Sequence, residues 1–134
     1  MNNDRLVMYI VIPKSLKMGI GKVGATCGHA VQLLMQMYET RKPDPSSVGW
    51  SEPAYEEGMG ALATFHDWLA SDYGKIVLGA SDEEFAEIRK FPNTVTVIDI
   101  GLKQVAPGSA TAVGLWPRLK SGAPLIIQRL EPLR

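Results

Sequence analysis

Seven consecutive apolar residues, Leu6 to Ile12, closed by Pro13, constrain the fold of this chain more than any other stretch. A continuous, largely β-branched run of this length reads as a central strand covered on both faces. It leads into Lys17-Met18-Gly19-Ile20-Gly21-Lys22, where two glycines flank Ile20 and let the backbone turn sharply and approach a ligand. From Lys22 to about Thr40 the pattern is helical. Val23, Cys27, Ala30, Leu34 and Met37 recur at steps of four, three, four and three, which makes one apolar stripe. Lys22, Thr26 and His29 share a flank beside it. Such a helix start suits an anion or a polarised oxygen, because free N–H groups and the positive dipole end converge there. The P-loop fingerprint G-x-x-x-x-G-K-S/T is absent from this stretch.

The rest of the chain reads as one domain, residues 1–134, in the order βααβαββ. A second helix runs from about Glu56 to Asp72, with Met59, Leu62, Phe65 (or His66) and Leu69 on its buried side. Lys75–Ala80 is a short buried strand. Ser81-Asp82-Glu83-Glu84 then offers an N-cap with a glutamate three residues on, followed by Phe85, Ile88 and Phe91. Residues 94–100 and 111–116 read as the third and fourth strands, and Leu125-Ile126-Ile127 is apolar but carries no decisive period. The pattern predicts a four-stranded mixed sheet with helices on both faces, an α/β/α arrangement. The connector 43–55, with Trp50 and Tyr55, is either functional or pinned by its aromatics.

Charge narrows the partners less than its total suggests. The net charge is zero, yet residues 1–42 hold six Lys/Arg against two Asp/Glu, residues 43–93 three against ten, and residues 94–134 five against two. Basic ends that meet in space would make a positive face; ordinary solvated charge explains the same counts. One cysteine gives neither a disulfide framework nor a cysteine cluster, which fits a reducing cytosol. No signal peptide or membrane span is visible, so a cytoplasmic protein is expected.

The second informative stretch is Asp99-Ile100-Gly101-Leu102-Lys103-Gln104-Val105-Ala106-Pro107-Gly108-Ser109-Ala110-Thr111. An acid at a strand end, followed by a glycine loop with amide and hydroxyl side chains, is where α/β sheets place ligands. Pro107-Gly108 is also a plain turn between strands. His29 is a possible general base or a packed histidine, His66 reads as structural, and Cys27 on the apolar stripe reads as buried and inert. The His, Cys, Asp and Glu residues show no metal-ligand spacing, and Ser109 lacks a nucleophile elbow.

Together the two stretches resemble the type II peptidyl-tRNA hydrolases. That family carries K-M-x-K-G-K-x-A-A-Q-x-x-H-A at its first helix and D-A-G-x-T-Q-x-x-P-G-S-x-T before its last strand; here they read Lys17 to Ala30 and Asp99 to Thr111. Trp68 and Lys75-Ile76-Val77-Leu78 resemble the family's helix-to-strand passage. The resemblance implies hydrolysis of the ester between a peptide and the 3′ ribose of tRNA, with no metal or cofactor, often by a homodimer. Carried across residue by residue, the site positions that match are Lys22, Asp99, Gln104, Ser109 and Thr111. Among the departures, Thr26 stands for the helix glutamine, Ile20 for a lysine, Ile100 for an alanine and Lys103 for a threonine. The expected catalytic set is therefore Lys22, Asp99, Thr26 and Thr111. The expected substrate-binding set is Lys14, Lys17, Lys103, Gln104, Ser109 and His29. The departures leave open a weakened relative that binds tRNA or a protein partner without turnover, and more distantly a hydrolase of other small acyl esters or amides.

Overall fold

The apolar run forms β1 (Leu6–Pro13), and its two sides feed different parts of the core. Val7, Tyr9 and Val11 pack with Phe85, Ile88 and Ile127, whereas Met8 packs with Leu34, Tyr38, Phe65 and Trp68. Ile10 and Ile12 pack with Ala30, Val97 and Ala112. The period of two along a strand sends alternate residues to opposite sides, so one strand anchors both halves of the core. This computed structural model describes residues 4–41, 56–99 and 108–134, with α2 side chains described from residue 60 onward.

The remaining elements are α1 (Ile20–Arg41), α2 (Glu56–Ala70), β2 (Lys75–Ala80), α3 (Asp82–Arg89), β3 (Thr94–Ile98) and β4 (Ala110–Leu115). They are followed by β5 (Arg118–Leu119), α4 (Leu125–Gln128) and β6 (Glu131–Pro132). The sheet has six strands among the described residues, in the order β3-β4-β1-β2-β6, with β5 pairing β1. The expected count of four was too low. Two-residue strands carry no readable period, and the tail that adds β6 to the edge of β2 includes only Glu131 and Pro132 in ladder register. The apolar stretch at Leu125–Ile127 is the short helix α4.

Direction matters more than count. β1 and β2 are parallel, β4 is antiparallel to β1, and β3 is antiparallel to β4. Hence β1, β2 and β3 point the same way, and their carboxyl ends share one edge of the sheet. Open α/β sheets place ligands beyond that edge.

Two local expectations changed. The loop before the first helix does not turn at Gly19 or Gly21: a 3-10 turn at Lys14–Leu16 ends on Lys17 with φ of 47°, and α1 already begins at Ile20. A backbone N–H bond from Lys17 to the Lys14 carbonyl closes this turn and holds the left-handed residue. The buried stripe of α1 is also rotated from the expected one. It runs through Thr26, Ala30, Leu34 and Tyr38, a strict step of four. Val23, Cys27 and Met37 are only half-buried. On α2, Phe65 and Trp68 are the buried residues, His66 is exposed, and Met59 lies outside the described side chains.

Candidate active site

Lys22 sits in the first turn of α1, a turn with no acidic residue, where a positive side chain opposes the helix dipole. Its Nζ meets the Oδ2 of Asp99, the residue just after β3. The carboxylate therefore offsets both the ammonium and the dipole. The two side chains are 20% and 8% exposed, so solvent screens this pair less than a surface pair. Removing one partner leaves the other charge enclosed.

Backbone bonds aim Asp99. Its N–H donates to the Ser109 carbonyl at 2.8 Å, and the Gly108 N–H donates to the Asp99 carbonyl at 2.8 Å. Gly108 holds φ of +83°, a conformation that favours glycine, so the return turn into β4 fixes Asp99 from both sides.

The register then explains Thr111. Val97 pairs with Ala112 and Ile98 with Ala110, which leaves Thr111 as the extra residue of a bulge. In regular β4 alternation, Ala112 would face α1 and Thr111 the opposite side. The bulge turns Thr111 toward α1 instead, and its hydroxyl shares a 2.5 Å hydrogen bond with that of Thr26. Thr26 is 1% exposed and Thr111 0%. Thr26 lies one helical turn after Lys22, so the helix, the end of β3 and the start of β4 are joined by an ion pair and a hydroxyl pair side by side.

These observations bring together Lys22, Asp99, Thr26 and Thr111, with half-buried Ser109 held beside Asp99 by its backbone. Lys14 and Lys17 are exposed on the turn after β1, at the same strand ends. His29 is exposed on α1 while Thr26 is buried, so the shared flank expected for them does not hold. Lys103 and Gln104 lie outside the described residues. The pairing of Thr26 with Thr111 has no sequence signal, because it depends on a bulge. Cys27 is half-buried and burial pushes its thiol pKa up, away from a reactive thiolate. Among the described residues no group of three His, Cys, Asp or Glu gathers to hold a metal. No described helix is long and apolar enough to cross a membrane.

Chemically, an enclosed carboxylate can orient a water and accept its proton. The adjacent ammonium can stabilise an oxyanion.

The chain matches the family described as Peptidyl-tRNA hydrolase PTH2 over residues 6–133. It is 31% identical over 116 residues to "Peptidyl-tRNA hydrolase 2, mitochondrial" of Homo sapiens, an alignment covering 82% of this chain and 54% of the human one. It is 30% identical over 131 residues to "Peptidyl-tRNA hydrolase" of Methanococcus vannielii, covering 92% and 96%. The protein of the same name in Thermoplasma acidophilum is 26% identical over 117 residues, covering 82% and 83%. The chain thus spans about half the length of the mammalian relatives it matches and nearly the whole of the Methanococcus one.

Proposed function

The chain belongs to the PTH2 family of peptidyl-tRNA hydrolases, and from that premise we propose that it hydrolyses the ester joining a peptide, or an N-blocked amino acid, to the 3′ ribose of tRNA. The observation that carries the proposal is the enclosed Lys22–Asp99 pair at the carboxyl ends of the parallel strands. In this reading Asp99 orients the attacking water and takes its proton, which breaks the ion pair's balance. Lys22 and nearby backbone N–H groups then stabilise the negative charge that develops on the ester carbonyl. Thr26 and Thr111 hold the helix to the strand that carries this geometry. Lys14 and Lys17, with Lys103 and Gln104, contact the tRNA, the lysines as point charges on phosphates. Ser109 and His29 complete the proposed substrate contacts.

No step of this reading calls on a metal or cofactor. A homodimer and a cytoplasmic setting belong to the same proposal, and light scattering tests the dimer. The enzyme reading is tested by incubating the purified chain with N-acetyl-aminoacyl-tRNA and following release of free tRNA over time. Steady release is expected. Salt-sensitive retention of tRNA without release would replace the hydrolase by a binding protein. Cleavage of small acyl esters with no tRNA affinity would point to another hydrolase class.

A further inference from the structure

A second feature opens at the same strand ends. Between the end of β1, the turn after it, the first turn of α1 and the tail beyond β6 lies a cleft of about 580 Å3, within the size range of small-ligand sites. Its apolar walls are Ile12, Met18, Ile20, Val23 and Leu133. Its charged lining residues, Lys14, Lys17 and Arg134, are all cations. The Leu133 N–H donates to the Val77 carbonyl at 3.0 Å, which seats the tail against β2. Gly79 makes room for the wall: a Cβ there would stand 2.9 Å from Lys14 Cγ and 3.3 Å from Leu133 Cδ1. Acids near this region lie at the start of α3 and on β6, where Glu131 pairs with Gly79. Ser15 Oγ donates to Asp82 at 2.6 Å, and Glu84 lies within the field of Lys14.

The chemistry of the lining selects an occupant. A peptide segment is neutral along its backbone and needs acceptors for its N–H groups as well as donors, whereas the charged side chains here are donors only. A nucleotide presents a flat base to the walls and a phosphate to the cations. Position selects it as well. Ile20 and Val23 line the cleft from the same first turn of α1 that carries Lys22, whose side chain leaves the adjoining side of the helix toward Asp99, so the cleft borders the pair without containing it.

We propose that this cleft receives the 3′-terminal nucleotide of the substrate tRNA, base against Ile20, Met18 and Leu133 and 5′-phosphate among Lys14, Lys17 and Arg134. The inference rests on the hydrolase reading, in which the scissile ester is carried on the ribose of that nucleotide. Ile20 is 95% exposed, so its side chain is available to a ligand and its replacement disturbs no core. An acid at this first helical position is favourable to the helix, which makes Ile20→Glu a variant that folds and yet repels phosphate.

The test titrates the whole chain with adenosine 5′-monophosphate, adenosine and inorganic phosphate by calorimetry, for the wild type and Ile20→Glu. The monophosphate should bind on the order of tenfold more tightly than either part alone, and Ile20→Glu should weaken it by a similar factor. With N-acetyl-aminoacyl-tRNA the same variant should raise KM about tenfold with kcat within about twofold, the pattern of lost uniform binding. Equal monophosphate binding by both proteins, no binding by the wild type, or phosphate binding as well as the monophosphate would each overturn the assignment. A wild type that binds the monophosphate through Ile20 but releases no tRNA would leave the cleft standing and remove the hydrolase reading instead.

Discussion

Thr26 and Thr111 show how much one hydroxyl pair decides at the residue scale. Both are buried and each satisfies the other. Thr26→Val keeps the shape but leaves the Thr111 hydroxyl without that partner, at a cost of about 1–3 kcal/mol. Chemical denaturation should show this loss, and Thr26→Ser should restore most of it. Cys27 gives a second check: because burial raises its pKa, alkylation at mildly alkaline pH should run slower in the native chain than in denaturant. The family resemblance put Lys22 and Asp99 in one expected site, and in the structure their side chains meet between the start of a helix and the end of a strand. It misplaced Thr26 beside the apolar stripe rather than in it. A threonine's burial depends on finding a hydroxyl partner, and that partner lies 85 residues away on a bulge. His29 was placed on the same flank by spacing alone, yet it faces solvent.

Elements were more legible than residues because their signals are local. The capping box at Ser81–Glu84 formed as read, with both reciprocal bonds present. Ser81→Ala should cost about 1 kcal/mol. Hydrogen bonds from Ser81, backbone first, and a smaller contribution from the charge of Lys14 hold the Glu84 carboxyl below its ordinary pKa. A depressed pKa in the folded state means stability that is present above the ordinary carboxylate range and lost as pH falls through the folded value. Helix α3 should therefore loosen on acidification, and Glu84→Gln, which removes the titrating group, should flatten that acid limb in a pH series of thermal melts. Between elements, Gly114 sets how closely α1 rides on β4. An added Cβ would stand 2.9 Å from Leu34 Cδ1 and 3.3 Å from Ala30 Cβ. Gly114→Ala should destabilise by about 1–3 kcal/mol through overpacking. It should also slow turnover by tilting the helix that carries Lys22. The two-residue strands β5 and β6 and the turn on Lys17 escaped the reading, because their causes are long-range pairing and a left-handed lysine rather than composition.

At the scale of the whole molecule, the charge blocks take on a spatial meaning. Lys14 and Lys17 follow β1, Lys22 opens α1, and Arg134 lies in the tail beside them, so cations from both ends of the chain meet at one sheet edge. The neutral total conceals this face. If it engages tRNA, affinity should fall steeply between low and moderate salt, by about tenfold or more for each few phosphates neutralised. Filter retention across a salt series reads the slope. The central claim is that ester hydrolysis depends on the Lys22–Asp99 pair held at that edge. Single-turnover release of tRNA from N-acetyl-aminoacyl-tRNA by the wild type, Lys22→Ala and Asp99→Ala tests it most directly. Each substitution should slow release by about a hundredfold, on the order of 3 kcal/mol of barrier. Near-wild-type rates in folded samples of both variants would contradict the account.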